Sequence, residues 1–226
     1  MPSVPQLSKS SQAITDVNAL RANIRGLASA GFLMAFFGAA WWGWGVGGIQ
    51  GVFLGETVTY FIMLALATII LLSGGIVLLR ATSRLPRDTS SPGETRGGAE
   101  GKRYGWIFGL VFGLEIVIIA LGSILLNMFH HPEFLLPFVS IVVGVHFFPL
   151  AKLFNVRLYY VTGASLVLVG VLVMLAVPVH TMIGNLHAWD ALVGSLCAVI
   201  LWLTGIYAEL RGRSFLKQAQ GQVEAK

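Results

Sequence analysis

The sequence predicts an all-α integral membrane protein with six transmembrane helices and with both termini in the cytoplasm. Hydrophobic residues make up 56% of the 226-residue chain and charged residues only 11%, whereas a typical soluble domain is about 25% charged. Six apolar segments are long enough to cross a bilayer, and every Lys and Arg lies on one side of them. This composition excludes a soluble enzyme, a disordered protein and a nucleic-acid-binding module. The expected surroundings are therefore lipid, and no nucleic acid partner is predicted.

Each predicted span is a run of about 20 apolar residues, the length that a helix needs to cross a hydrocarbon core roughly 30 Å thick. Backbone groups in lipid must find their partners within the segment, so these runs are predicted as helices. None shows the alternation expected of a β-barrel strand. The predicted spans are Ser29–Gly51, Thr57–Leu79, Gly105–Asn127, Leu135–Ala151, Tyr159–Val177 and Ala188–Leu210.

The distribution of positive charge predicts the orientation. The fifteen Lys and Arg residues lie before the first span, between the second and third, between the fourth and fifth, and after the sixth. The other three connections contain none. By the positive-inside rule, this pattern places both termini in the cytoplasm. It also explains the net charge of +5 without an anionic partner.

The polar segments divide the chain into regions. Residues 1–28 form an N-terminal cytoplasmic segment, either an amphipathic helix on the inner leaflet or an extension of the first span. Residues 80–104 are rich in Ser, Gly, Pro and charged residues, which predicts a flexible basic cytoplasmic linker. This linker joins a two-helix hairpin, 29–79, to a four-helix bundle, 105–210. A basic cytoplasmic tail, 211–226, follows.

Two ionisable residues lie inside the predicted spans, where a charge costs a few kcal/mol and is a functional hypothesis by default. Glu115 lies roughly 15 Å from the inner boundary of the third span at about 1.5 Å per residue. His146 lies roughly 9 Å from that boundary by the same rise, in the fourth span. Pro149, one turn later, loosens the helix beside the histidine.

The third and fourth spans are joined by a short loop and are therefore expected to be antiparallel neighbours. Helix tilts of about 20° and the length of a Glu side chain would then bring Glu115 to His146. We expect Glu115 to face the bundle interior, either neutral or hydrogen-bonded to His146 or to a nearby hydroxyl. The alternative is an interhelical hydrogen bond with a purely structural role.

The fourth span also carries a family resemblance. Gly144–Ala151 reads GVHFFPLA, and Tyr159 and Tyr160 open the next helix. This GxHxxP…YY pattern resembles small multi-pass inner-membrane proteins of bacteria that have no assigned activity. The resemblance covers the fourth and fifth spans. It implies a bacterial inner (plasma) membrane location and adds Tyr159 and Tyr160 to Glu115 and His146 as candidate binding residues.

A cluster of histidines and carboxylates lies in the predicted outer loops. Imidazole and carboxylate groups are suitable zinc ligands, but no strict motif such as HExxH is present. The alternative is a set of solvated loop histidines that titrate with external pH. The sequence therefore commits to no metal site and predicts no cofactor. The candidate ligands are His130, His131, His180, His187 and Asp190.

Glycines recur every four residues on the first and third spans. Such ladders allow close helix approach in membranes. They indicate a homo-oligomer interface, a contact with a membrane partner or a moving seam, with plain intramolecular packing as the alternative. We expect the first-span ladder to be a close helix contact. The glycines concerned are Gly43, Gly47, Gly51, Gly105, Gly109 and Gly113.

These features favour a transporter or binding protein for a small solute or ion, linked to protons, with Glu115 and His146 as its polar site. A non-catalytic structural or accessory subunit of a membrane complex is the first alternative. An intramembrane metal-dependent hydrolase that uses the outer histidines is the second. Because no convergence of ligands or nucleophile is visible, the sequence favours a role other than that of an enzyme.

Overall fold

The computed structural model describes residues 5–46, 54–84, 94–154, 156–183 and 186–224. Side chains are described for residues 20–45, 61–84, 105–153, 156–183 and 187–221. The elements are α1 Pro5–Val46, α2 Leu54–Ser83, α3 Glu94–Met128, a 3-10 turn Pro132–Phe134, α4 Leu135–Phe154, α5 Leu158–Ala176, strands β1 Met182–Ile183 and β2 Leu186–His187, and α6 Ala188–Glu224.

Six helices in the described residues are long and apolar enough to cross a membrane, which confirms the predicted fold class. Several helices continue beyond the predicted spans. Helix α1 is continuous from Pro5, so the N-terminal segment forms one helix with the first span. Helix α3 begins at Glu94, within the predicted linker. Residues 85–93 of that linker lie outside the described residues.

The connection between α5 and α6 contains a small hairpin that the sequence analysis did not predict. Strand β1 pairs antiparallel with β2, with Met182 opposite His187. Next to it, the Trp189 Nε1–H donates a 2.9 Å hydrogen bond to the Val177 carbonyl. The end of α5 is thereby tied to the start of α6.

Helix α6 packs against α1, α2, α4 and α5, and its most extensive contact is with α1. One buried cluster runs through α1, α2, α4, α5 and α6 and includes Met34, Leu71, Leu166 and Leu201. Helix α3 packs principally on α4. Of the apolar window of each span, 50% of residues are buried on α6 and only 6% on α3.

Glycines mediate the closest helix contacts. A methyl group placed on Gly45 would come 2.7 Å from the Cα atom of Gly194, so α1 and α6 touch through their backbones here. Helices α4 and α5 meet in the same way, since a methyl group on Gly144 would lie 2.7 Å from the Gly163 carbonyl oxygen.

The predicted contact through the first-span glycine ladder is not found within the chain at Gly43, where no described atom of another element lies within 4 Å of an added methyl group. A contact of this face with a second chain stays a prediction. Gly45 is two residues further on, about 200° around the helix, and it faces α6 instead. Gly47 and Gly51 lie outside the described residues. A methyl group on Gly105, Gly109 or Gly113 of α3 would also meet nothing, so these glycines pack against no other helix of the described chain.

Candidate functional site

Glu115 is buried although its helix is largely exposed. The neighbouring Leu114 and Ile116 are 57% and 54% exposed, whereas Glu115 is only 7% exposed. Its carboxyl group therefore points from α3 into the bundle, as expected. This orientation hides the ionisable side chain of the span and leaves the apolar side chains on the outer surface.

His146 reaches Glu115 from α4. Its Nδ1 atom lies 3.1 Å from the Glu115 Oε2 atom, and the imidazole side chain is 11% exposed. The predicted meeting of these two residues is therefore found. The approach is that of an ion pair without the angles of a hydrogen bond, and His146 Nε2 has no hydrogen-bond partner among the described residues.

Pro149 lies inside α4, one turn after His146. Its ring nitrogen carries no hydrogen, so the carbonyl of Val145 loses the helical hydrogen bond that residue 149 would otherwise donate. The backbone beside the histidine is thus less tightly held than that of an unbroken helix.

The pair lies on the wall of a cavity of about 90 Å³ between α1, α3, α4, α5 and α6. Phe112 meets the His146 ring edge-on at a centroid distance of 6.2 Å, and Phe147 lies at 5.7 Å. Apart from Glu115, His146 and Tyr159, the walls are aliphatic or aromatic. The remaining lining residues are Leu33, Met34, Phe37, Trp41, Phe108, Phe112, Val143, Phe147, Leu150 and Leu201.

The two candidate tyrosines have different positions. Tyr159 is buried, lines the cavity and packs edge-on against Phe147 at 5.7 Å. Tyr160 is 45% exposed and stacks on Phe148 at 6.2 Å. Tyr160 is therefore not brought to the cavity that Tyr159 lines. Adjacent residues on a helix point about 100° apart, so a consecutive pair rarely shares one cavity.

The outer histidines do not form a metal centre in the described chain, where no three His, Cys, Asp or Glu side chains converge. His131 instead pairs with Glu133, Nδ1 to Oε1 at 2.9 Å, in an exposed position. His130 adopts a left-handed backbone conformation, φ 60°, that ends α3. The backbone N–H groups of His130 and His131 bond back to Asn127 and Leu126, a Schellman pattern. His187 lies close enough for its charge to act on Glu133 and on Asp190, yet neither these residues nor His180 bring three candidate ligands together in the described chain.

Sequence analysis missed the polar contacts that link α4, α5 and α6. The hydroxyl groups of Thr162 and Thr204 are 2.8 Å apart. The Ser140 hydroxyl donates to the Leu166 carbonyl at 2.8 Å and lies 3.2 Å from the Cys197 sulfur. The only sequence signal is a hydroxyl inside an apolar run, and such residues usually bond within their own helix.

Glu209 on α6 was also missed, although it is only 4% exposed. Its neighbours are Gly31 of α1 and Gly74 of α2. The predicted sixth span ends at Leu210, and a charged residue at the end of a span ordinarily marks the membrane interface. A usable signal was the presence of small residues at matching depths on the first two helices, since these leave room for a larger side chain.

The carboxylate–imidazole pair can bind a proton or a cation within the bundle. A neutral imidazole leaves the ionised pair with one negative charge, and an imidazolium makes the pair neutral overall. Each proton therefore changes the charge of the cavity wall by one unit. Comparison with known proteins adds no relative, because no protein-family model, curated protein or solved structure matches this chain.

Proposed function

We propose that this protein binds a small solute or ion in the cavity beside Glu115 and His146 and moves it across the membrane in exchange for a proton. The observation that carries this proposal is a buried carboxylate–imidazole pair in an otherwise apolar, aromatic wall. Burying two ionisable groups in a bundle costs several kcal/mol, and apolar residues of the same size would pack there at no such cost. A requirement for a titratable charge inside the bundle explains their presence.

The size of the cavity limits the solute. An engineered cavity of roughly 150 Å³ accommodates benzene, and this cavity measures about 90 Å³. The occupant in this conformation is therefore smaller than benzene. Aromatic faces and a carboxylate attract a cation together, through cation–π contacts and direct charge. Small alkylammonium ions match both the size and the chemistry.

Binding is tested with methylammonium chloride and the purified full-length protein. Trp41 lines the cavity, so its fluorescence should change on binding, and Trp41→Phe should remove that change. Glu115→Gln removes the charge at nearly constant shape and should weaken binding about tenfold or more, equivalent to about 1.4 kcal/mol. Glu133→Gln alters the exposed outer pair and is the matched control, expected to bind normally. Equal binding by wild type and Glu115→Gln would contradict the proposal.

Transport is tested in proteoliposomes that contain a pH-sensitive dye. An inward gradient of methylammonium should drive protons outward and make the interior alkaline faster than in liposomes without the protein. Glu115→Gln should abolish this response, and Glu133→Gln should retain it. Proton movement that is the same in empty liposomes and in liposomes containing the protein would exclude exchange.

A role as an accessory subunit of a membrane complex is the second candidate. It is favoured by the glycine face of α3, where Gly105, Gly109 and Gly113 meet no other element in the part of the chain that the structure describes. Close helix packing needs such faces. A partner that co-purifies at fixed stoichiometry and is lost in Gly109→Leu would support this role. A monodisperse monomer that transports would favour the first candidate.

The location that we propose is a bacterial inner membrane with both termini in the cytoplasm. It is supported by the one-sided distribution of Lys and Arg and by the motif shared with bacterial inner-membrane proteins. Single cysteines at positions 90 and 221, introduced as Ser90→Cys and Gly221→Cys, should resist an impermeant thiol reagent in intact cells. Both should react after the cells are opened. The native Cys197 is buried and is replaced by Ala in these variants. Labelling from outside in intact cells would reverse the orientation.

A further inference from the structure

A second buried carboxyl group lies outside the cavity, at the end of the bundle where both termini lie. Glu209 is 4% exposed and faces α1 and α2. It lies about 12 Å further along α6 than the cavity residue Leu201, at roughly 1.5 Å per residue. Glu209 is therefore not part of the cavity and does not contact Glu115 or His146.

Glycines from two helices make the space that Glu209 occupies. A methyl group on Gly31 would come 3.2 Å from Glu209 Oε1. A methyl group on Gly74 would occupy the position of the carboxyl group itself. The backbone amide of Gly75 is within reach of the carboxyl group on the same side. Both neighbouring helices thus lack side chains at the level where α6 inserts its Glu.

The negative charge of an ionised Glu209 would be only partly compensated by the groups around it. Glu209 Oε1 is buried and has no hydrogen-bond partner within the described part of the chain. On α6, the charge that acts on Glu209 is the guanidinium of Arg213, which is on the exposed surface one turn further on. At this level α1 presents Gly31, and α2 presents Gly74 and Gly75, so neither helix places a side chain of its own in this space. The Gly75 amide and the Arg213 guanidinium favour the ionised form of the carboxyl group, while its Oε1 atom is left without a hydrogen-bond partner in the described chain. Burial of the group opposes them and favours its protonated form.

The space between Glu209 and the cavity is filled by apolar side chains. Met34 lines the cavity and is one turn from Gly31 on α1. A methyl group on Gly205 of α6 would lie 2.9 Å from Leu71 and 3.0 Å from Met34. This layer separates Glu209 from Glu115 and His146 in the conformation observed.

We propose that Glu209 is a second proton-binding site, a buried carboxyl group that holds a proton in the Gly31–Gly74 cradle and exchanges it with the side of the membrane that carries the termini. The proton leaves the carboxyl oxygen for water at that surface and returns by the same route, so no other bond changes. The further idea that Glu209 passes protons between the cavity and the side of the membrane that carries the termini rests on the function proposed above. The protonation of Glu209 is independent of that function.

Infrared spectroscopy of the full-length protein in detergent at pH 5.5, about one unit above the ordinary pKa of a Glu side chain, tests the assignment. The difference between wild type and Glu209→Gln should contain the C=O band of a protonated carboxyl group. This band should shift on transfer to deuterated water, because the proton is exchangeable. A carboxylate band in its place, or a C=O band that does not respond to deuterated water, would overturn the proposal.

Two further variants separate this site from the cavity. Glu115→Gln should keep the Glu209 band, and its loss there would show that the signal belongs to the other carboxyl group. Gly74→Ala fills the cradle and should replace the protonated band with that of an ionised carboxylate in contact with water. Gly31→Ala is the milder substitution and should give a partial change if Gly74→Ala does not fold. An unaltered band in both folded glycine variants would contradict the role of the cradle.

The transport function and the Glu209 proton site can fail separately, and the experiments distinguish the two outcomes. If methylammonium neither binds nor moves and the Glu209 band is present, the transport function fails and the second proton site remains. If transport is measured and Glu209→Gln moves protons at the wild-type rate, Glu209 is not an exchange point for the cavity.

Discussion

Glu115 and Glu209 are both buried carboxyl groups on transmembrane helices, yet their surroundings differ. Glu115 is on α3, whose span is 6% buried, and it has a histidine 3.1 Å away. Glu209 is on α6, whose span is 50% buried, and its oxygen Oε1 has no hydrogen-bond partner among the described groups. One carboxyl group lies beside an imidazole on a loosely packed helix. The other lies beside a backbone amide, that of Gly75, in the most extensively packed part of the bundle.

This difference indicates which site can move. Helix α3 contacts mainly α4, so a tilt or rotation of α3 separates Glu115 from His146 with little loss of packing. Helix α6 contacts α1 through the backbones of Gly45 and Gly194, and a comparable movement there would break many contacts. We therefore expect the cavity pair to open and close during function, while the Glu209 cradle keeps its shape.

The largest expected effect tests the rigidity of the α1–α6 contact. Gly45→Leu inserts a side chain where even a methyl group would lie 2.7 Å from Gly194. We expect a loss of about 3 kcal/mol or more in the free energy of unfolding, the upper range for overpacking. Thermal unfolding followed by circular dichroism in detergent measures it. Gly43→Leu, on the open face of the same helix, is the matched control. Equal destabilisation by both variants would refute the tight contact.

A smaller effect is expected from the pair on α3. Removing one partner of a rigidly buried ion pair costs about 3–5 kcal/mol. Because α3 can shift and let Glu115 take up a proton, we expect a coupling energy of only about 1–3 kcal/mol from a double-mutant cycle of Glu115→Gln and His146→Gln. Denaturant unfolding of the four proteins gives this value. The same cycle at His131 and Glu133 should give no measurable coupling. A coupling energy indistinguishable from zero at Glu115 and His146 would remove the pair as an energetic contact.

The smallest expected effect concerns the open glycine face of α3. Gly109→Leu places a side chain where nothing lies within 4 Å, so the free energy of unfolding of the monomer should change by less than about 0.5 kcal/mol. Chemical unfolding and the mass of the protein–detergent complex measure the two relevant quantities. A large destabilisation accompanied by a fall in mass would show that α3 is covered by a second subunit. Helix α3 would then be as closely packed in the oligomer as α6 is in the monomer.

Much of the site was predictable because it depends on depth along the chain. Glu115 and His146 interrupt apolar runs, and their distances from the span ends placed them at nearby depths on antiparallel neighbours. The structure brings them to 3.1 Å. Tyr159 also lines the cavity, whereas Tyr160 is exposed. The motif does not specify which of two adjacent side chains points inward.

By itself the sequence determined the membrane-spanning class, the number of spans and the intramembrane position of Glu115. These properties follow from hydropathy summed along the chain. Only the tertiary structure decided that Gly45 rather than Gly43 contacts α6, and that Glu209 is buried. In a soluble helix the apolar stripe marks the buried face, but a membrane helix is apolar on both its lipid-facing and its protein-facing sides. The hydropathy pattern of a membrane helix therefore does not indicate which face is covered by a neighbouring helix. That face is decided only when the helices pack.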